Sequence, residues 1–220
     1  TVAHDLRAPT RHILGFSELL KHHAGRTLDE ESLRLLDTIV RAATRQAKLV
    51  DDLLDYTRIG QQEVRLQPLD VAELIQEVRA QLATEDVAAT RADWEIEDIP
   101  MLWGDRVLLR QALMNLLQNA VKFSRDVERP RIEVRCSEPE PGTVAISIRD
   151  NGAGFDARYQ DKLFQVFQRL HAEREFPGTG IGLAIVRRAL EKQHGVVWAE
   201  GRPGKGATFS FLLKQAKASL

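Results

Sequence analysis

Apolar residues at the start of the chain fall at Val2, Leu6, Pro9, Ile13, Phe16 and Leu20, in alternating steps of four and three. That spacing predicts a helix with a heptad seam over residues 1–23. Residues 24–28 break the pattern, with Gly25 as the helix end and Thr27 or Asp29 as the next cap. Over residues 29–58 two seams run in parallel. One passes through Leu33, Leu36, Val40, Ala43, Ala47, Val50 and Leu54, the other through Leu35, Ile39, Ala42, Gln46, Leu49, Leu53 and Tyr56. A helix of about thirty residues, about 45 Å long, cannot bury two seams against a single partner helix. A second copy of the chain is the simplest source of the missing surface, giving an antiparallel four-helix bundle about a two-fold axis. The alternative is a monomeric hairpin leaning on the rest of the chain.

Beyond residue 60 the period changes. Residues 60–68 are polar and read as a linker running into a first strand near residues 64–66. Val71, Leu74, Ile75, Val78 and Leu82 mark a helix, Trp94 and Ile96 a strand, and residues 101–103 a short strand ended by Gly104. Residues 110–123 are helical, with apolar side chains at three- and four-residue steps. Residues 131–136 with 143–149, and 196–200 with 207–213, alternate as two antiparallel hairpins. A further helical pattern covers residues 181–192. These strand patterns and three helices follow the hairpin, so the fold class is α+β, with domains at residues 1–60 and 61–220.

Charge narrows the partners. With 31 basic and 32 acidic residues the chain is nearly neutral, which argues against nucleic acid or an anionic membrane as its main partner. Cys136 is the only cysteine, so no internal disulfide forms. No apolar run approaches the ~20 residues that span a bilayer. The sequence opens without an initiator methionine or a basic-then-apolar leader, and is expected to be a cytoplasmic piece of a longer protein that is itself soluble or membrane-anchored.

Two glycine clusters carry the chemistry. Asp150-Asn151-Gly152-Ala153-Gly154 ends a strand pattern, and Gly178-Thr179-Gly180-Ile181-Gly182-Leu183 opens a helical one. Glycine brings backbone close to a ligand, and a helix N-terminus offers unpaired N–H groups to phosphate. Neither cluster has the lysine-serine/threonine ending of a Walker loop, and the second follows no strand as a dinucleotide fingerprint would. Asn115, Asn119 and Lys122 lie along one polar stripe of the intervening helix. An amide oxygen for a hard cation beside a lysine for phosphate suits a magnesium nucleotide, although an exposed polar face has the same pattern.

The asparagine helix, the Asp-x-Gly-x-Gly turn, Phe164 and Phe167, Gly178 to Leu183, and Gly204-Lys205-Gly206-Ala207-Thr208-Phe209 occur in an order that resembles the ATP-binding domain of sensor histidine kinases. The likeness runs from about Leu69 to the end. His4-Asp5-Leu6-Arg7-Ala8-Pro9 resembles the phosphoacceptor box of the same family. The resemblance implies one α/β sandwich of the gyrase, chaperone and histidine-kinase superfamily, with ATP and Mg2+ as cofactors. It implies a homodimer through the hairpin, a response-regulator receiver domain as partner, and a sensor domain upstream of this chain.

By that resemblance His4 is the nucleophile, with Asp5 steadying the other ring nitrogen and Arg7 either steadying the phosphoryl group or simply solvated. His4 stands two residues from both Val2 and Leu6 and so faces away from the seam, and Pro9 should bend the helix to let it reach out. The implied nucleotide-binding set is Asn115, Asn119, Lys122, Asp150, Gly152, Gly154, Gly178, Thr179, Gly180, Gly182, Leu183 and Thr208. Asn119 is the Mg2+ ligand, and Asp150 accepts the adenine amino group while Gly152 and Gly154 let the base slide against backbone. Residues 168–177 are the expected mobile lid, with His171 an exposed member of it. Phe164 and Phe167 either dock that lid or fill the core. Ala8 stands where many members carry threonine or asparagine, which points to a kinase-biased protein with little phosphatase activity. The run Gln168-Arg169-Leu170-His171 looks like kinases attached to phytochrome or PAS-type sensors. Two rivals stay open at this stage: a gyrase- or chaperone-like ATPase clamp, and a scaffold that binds nucleotide without transferring phosphate.

Overall fold

A computed structural model describes the chain except residues 1, 26, 171–175, 177 and 217–220 and the side chains of residues 2–6. It separates into two compact units, Thr1–Arg58 and Ile59–Leu220.

The first unit is a helical hairpin. α1 (Val2–Ala24) runs without interruption through Pro9, and α2 (Glu30–Gln61) follows after a short turn. Gly25 donates its N–H to the Lys21 carbonyl at 3.0 Å, and the Asp29 carboxylate accepts the Ser32 N–H at 2.8 Å, so Asp29 caps α2. Among the described residues two ion pairs cross the hairpin, Arg7 to Asp51 at 2.5 Å and Lys21 to Asp37 at 2.8 Å. From Arg7 to Lys21, and from Asp37 to Asp51, is fourteen residues on each helix, which fixes one antiparallel register.

The seams then divide. Leu36 and Ala43 of the first α2 seam are buried against α1, together with Thr10 and Ser17. The α1 seam residues Ile13, Phe16 and Leu20, and Leu35, Ile39 and Leu53 of the second α2 seam, stay exposed within one chain, Phe16 at 71% and Leu35 at 60%.

The second unit is a sandwich. β1 (Gln67–Leu69) and β3 (Leu102–Gly104) form a two-stranded antiparallel ribbon. The main sheet has the order β2-β4-β5-β7-β6, from β2 (Asp93–Ile96), β4 (Arg131–Ser137), β5 (Thr143–Asp150), β7 (Ala207–Lys214) and β6 (Val196–Gly201). Only the β2–β4 pair is parallel. α3 (Val71–Glu85), α5 (Arg106–Ser124) and α6 (Gly182–Glu191) supply the helical layer, with a short α4 (Val87–Arg91) that the sequence pattern did not reveal.

Strand alternation sorts the sheet faces. Ile146, Ile148 and Asp150 of β5 stand beside Phe211, Phe209 and Ala207 of β7, and all six are buried. On the outer side Arg131 and Arg135 bind Glu95, Glu97 and Glu133, a charged ladder over the parallel pair. Such charge on an edge discourages strand addition.

The first strand lies at Gln67–Leu69 rather than near residues 64–66. Leu66 is 46% exposed, and the Arg65 N–H goes to the Asp105 carboxylate at 2.8 Å instead of to a ladder. Pro68 is tolerated because a two-stranded ribbon leaves one side of each strand free of partners. Asp105, 4% exposed, also caps α5 by accepting from Val107 and Leu108, and its own N–H goes to the Gln193 side chain at 2.9 Å.

The last turn of α2 belongs to this second unit. Ile59 is buried, and Lys192 at the end of α6 donates to the carbonyls of Gly60 at 3.1 Å and Gln62 at 2.6 Å. These carbonyls have no intrahelical donor, so the ammonium acts as a side-chain cap at the negative end of the helix. Lys192→Met keeps the stem and removes the cap; it is expected to lower stability by about 1–2 kcal/mol in urea unfolding. An unchanged midpoint would show that water caps this helix equally well. Among the described residues, no helix is long and apolar enough to cross a membrane.

Candidate functional site

α5 is the wall that the sequence motifs share. Along it Asn115 meets α6, Lys122 meets the glycine run, and the end at Phe123 meets the Asp150 turn. A Cβ at Gly182 would lie 2.6 Å from the Asn115 Oδ1, and one at Gly178 would lie 3.4 Å from the Lys122 ammonium. The Ala153 N–H donates to the Phe123 carbonyl at 3.0 Å, and the Gly204 N–H to the Ala153 carbonyl at 2.7 Å. The asparagine helix, the Asp150 turn and both later glycine runs thus converge on one region.

Two glycines in this junction are irreplaceable for backbone reasons. Gly154 (φ +62°) and Gly206 (φ +85°) are left-handed, and a Cβ on either would lie within 2.0 Å of a backbone oxygen, that of Arg202 or of Asp150. Gly152 is likewise packed against the Phe123 carbonyl. The requirement for glycine in the Asp-x-Gly-x-Gly turn is therefore set by the protein's own backbone, whereas the sequence suggested contact with a base.

Asp150 ends β5 and is 3% exposed. Its carboxylate accepts the Gly152 N–H at 2.8 Å and the Ala207 N–H. Burial nevertheless pushes its pKa up to about 6, against the lowering effect of those two donors. A buried carboxylate held by two backbone donors retains lone pairs for a ligand donor.

Lys122 is half-buried and, among the described residues, makes no ion pair. Burial first, then the charges of Arg169 and Arg125, bring it down to about 8. Its ammonium rests 4.2 Å from the centre of the Phe123 ring. An anion is the natural complement to a half-buried ammonium that makes no ion pair among the described residues. α6 adds its N-terminus, where the helix has no side-chain cap and the Thr179 hydroxyl accepts the Ile181 N–H at 3.4 Å.

Other predicted residues are placed differently. Asn115 is engaged by protein, donating to the Gln111 carbonyl at 2.9 Å and facing Gly182. Thr208 stands on the opposite face of β7 from Ala207, the register partner of Asp150, so strand alternation takes its side chain away from that carboxylate. Arg7 is held by Asp51 across the hairpin. Phe164 packs edge-on to Phe209, whereas Phe167 is 59% exposed with a left-handed backbone (φ +66°). Leu183 and Gly180 are half-buried around the start of α6. The side chains of His4 and Asp5, and His171 with most of the expected lid, lie outside the described residues.

Asn119 is half-buried on α5, and among the described residues its amide makes no hydrogen bond. No cluster of histidine, cysteine or carboxylate ligands suited to a metal occurs among the described residues. One amide oxygen without a carboxylate cage fits a magnesium ion that arrives with phosphate oxygens and waters. Sequence reasoning did not connect with this site Arg125 and Arg169, whose charges bear on Lys122, or Phe176, whose ring packs on Phe123.

Comparison with known proteins agrees with this geometry. Residues 104–217 match the family described as histidine kinase-, DNA gyrase B- and HSP90-like ATPase, and residues 1–62 match the His Kinase A (phospho-acceptor) domain. Phytochrome-like protein Cph1 of Synechocystis sp. is 32% identical over 209 residues, 95% of this chain and 28% of that protein. The methanogenesis regulatory histidine kinase FilI of Methanothrix harundinacea is 33% identical over 214 residues, covering 97% and 24%. The chain therefore spans about a quarter of these relatives. Among solved structures, full-length ShkA in complex with AMPPNP is similar with a TM-score of 0.71 and 28% identity, covering all of this chain and 46% of that one. ThkA in complex with the response regulator TrrA gives 0.65 and 26%, covering 98% and 60%.

Proposed function

The chain belongs to the sensor histidine kinase family, and on that premise we propose that it is the ATP-dependent autokinase portion of a two-component signalling protein. Residues 61–220 bind ATP, and residues 1–60 dimerise and carry the acceptor His4. The phosphoryl group then passes to an aspartate of a response-regulator receiver domain. The observation that carries this reading is Lys122: a half-buried ammonium with no ion pair among the described residues, set against Gly178.

In this reading Asp150 accepts the adenine amino group, Lys122 takes the phosphates, and Asn119 contributes an oxygen to Mg2+. Bound there, Mg2+ would neutralise charge on the phosphate oxygens. A neutral His4 nitrogen attacks the γ-phosphorus as the bond to the bridging oxygen of ADP breaks, and Asp5 supports the charge that develops on the ring. The exposed seams at Ile13, Phe16, Leu20, Leu35 and Ile39 support dimerisation into a four-helix bundle. Ala8 in place of a polar side chain supports a kinase-biased protein. The chain's location is the cytoplasm, where ATP and the receiver domain are found.

Incubation with MgATP should leave acid-labile, base-stable phosphate on the chain. ATP hydrolysis without a phosphoprotein would instead identify a clamp-type ATPase, and tight binding without either would identify a scaffold.

A further inference from the structure

Around Lys122 four side chains from two parts of the chain form a stack. The Phe123 and Phe176 rings lie 4.9 Å apart at 53°. Lys122 sits on the Phe123 ring at 4.2 Å, and the Arg125 guanidinium lies 5.2 Å from the centre of the Phe176 ring. Arg169 donates to the Phe176 carbonyl at 3.2 Å, which fixes the backbone that carries the ring. The result is an aromatic pair with a cation associated with each ring. Phe176 is half-buried and falls just before the glycine run.

We propose that Phe176 is a positioning residue for nucleotide binding: by packing on Phe123 and engaging Arg125, it holds the Lys122 ammonium where the polyphosphate of the nucleotide must enter. This rests on the assignment of Lys122 to phosphate made above. A lysine side chain carries about 2 kcal/mol of rotamer entropy, which a ring face and a buried surround reduce before the ligand arrives. Cation–π contact supplies part of the hold. In this proposal the aromatic pair also keeps water from Lys122. That exclusion, with the charges of Arg125 and Arg169, the groups that bear on it, keeps its pKa near 8.

The test is AMPPNP and adenosine binding by calorimetry between pH 6.5 and about 9.5, on the whole chain and on Phe176→Leu, Phe176→Tyr and Lys122→Met. The unaltered chain should lose AMPPNP affinity as pH rises through about 8, where the ammonium deprotonates. Phe176→Leu keeps the bulk and removes the ring. It should weaken AMPPNP at neutral pH about five- to tenfold, leave adenosine unchanged, and move the alkaline fall upward toward the ordinary lysine range. Phe176→Tyr should restore both. Unchanged AMPPNP binding in Phe176→Leu, an equal loss for adenosine, or an alkaline limb that stays in place would each overturn the proposal. If Lys122→Met binds AMPPNP like the unaltered chain, the phosphate role of Lys122 itself fails, separately from any effect of Phe176.

Discussion

Replacing His4 with glutamine should reduce phosphate labelling of the chain by labelled MgATP to background, on the order of a hundredfold or more. Glutamine keeps a polar side chain on α1 but has no nitrogen that can attack phosphorus. The other histidines of α1, His12, His22 and His23, stand two or more helical turns further on and are exposed, so they offer no substitute within the same box. AMPPNP binding by the variant should be unchanged, because the nucleotide groups all belong to the unit Ile59–Leu220. That second measurement matters: loss of labelling with intact binding separates a missing acceptor from a collapsed pocket. Undiminished labelling of His4→Gln would remove this histidine as the acceptor and with it the role given to residues 1–60.

What made His4 visible was local: a six-residue box with histidine, carboxylate and proline in fixed order. The same holds for the α5 stripe and for the two hairpins of the sheet, where period and turn chemistry act over a few residues. Features that depend on distant pairing were hidden. Arg65 was read as part of a strand, yet its N–H is claimed by Asp105 forty residues away, and that one bond moves the strand to Gln67–Leu69. The parallel pairing of β2 with β4 could not be seen because no motif marks it. Gly152 and Gly154 were legible as glycines that something approaches closely. Only the structure identifies that something as Phe123, Arg202 and Gly206, so the turn's glycines hold protein to protein. Phe176 was legible only as one residue of the expected lid, since an aromatic residue in a polar stretch has no period, and its individual meaning comes from Phe123 across the fold.

Asp150 should show binding and stability moving in opposite directions. Asp150→Asn keeps an oxygen for the Gly152 N–H but puts an amide NH2 in place of the other carboxylate oxygen. Facing an adenine amino group, two donors meet, and nucleotide affinity should fall about a hundredfold, or ~3 kcal/mol. The unaltered chain should behave similarly in acid. Its carboxylate must be ionised to accept, so AMPPNP affinity should be full between about 6 and the alkaline fall near 8, and decline as pH falls below about 6. Stability follows the opposite sign. The folded pKa is raised above the ordinary carboxylate value of 3.8, so the native state holds its proton more tightly than the unfolded chain does. The resulting stabilisation is complete below the unfolded value and is lost as pH rises through about 6. By pH 7 the buried charge costs on the order of 3 kcal/mol. Asp150→Asn abolishes that titration, so the variant should unfold at higher urea concentration than the unaltered chain at pH 7 and lose the difference near pH 4. A variant that is both weaker in binding and less stable at pH 7 would mean that Asp150 serves the fold, and that the adenine acceptor lies elsewhere.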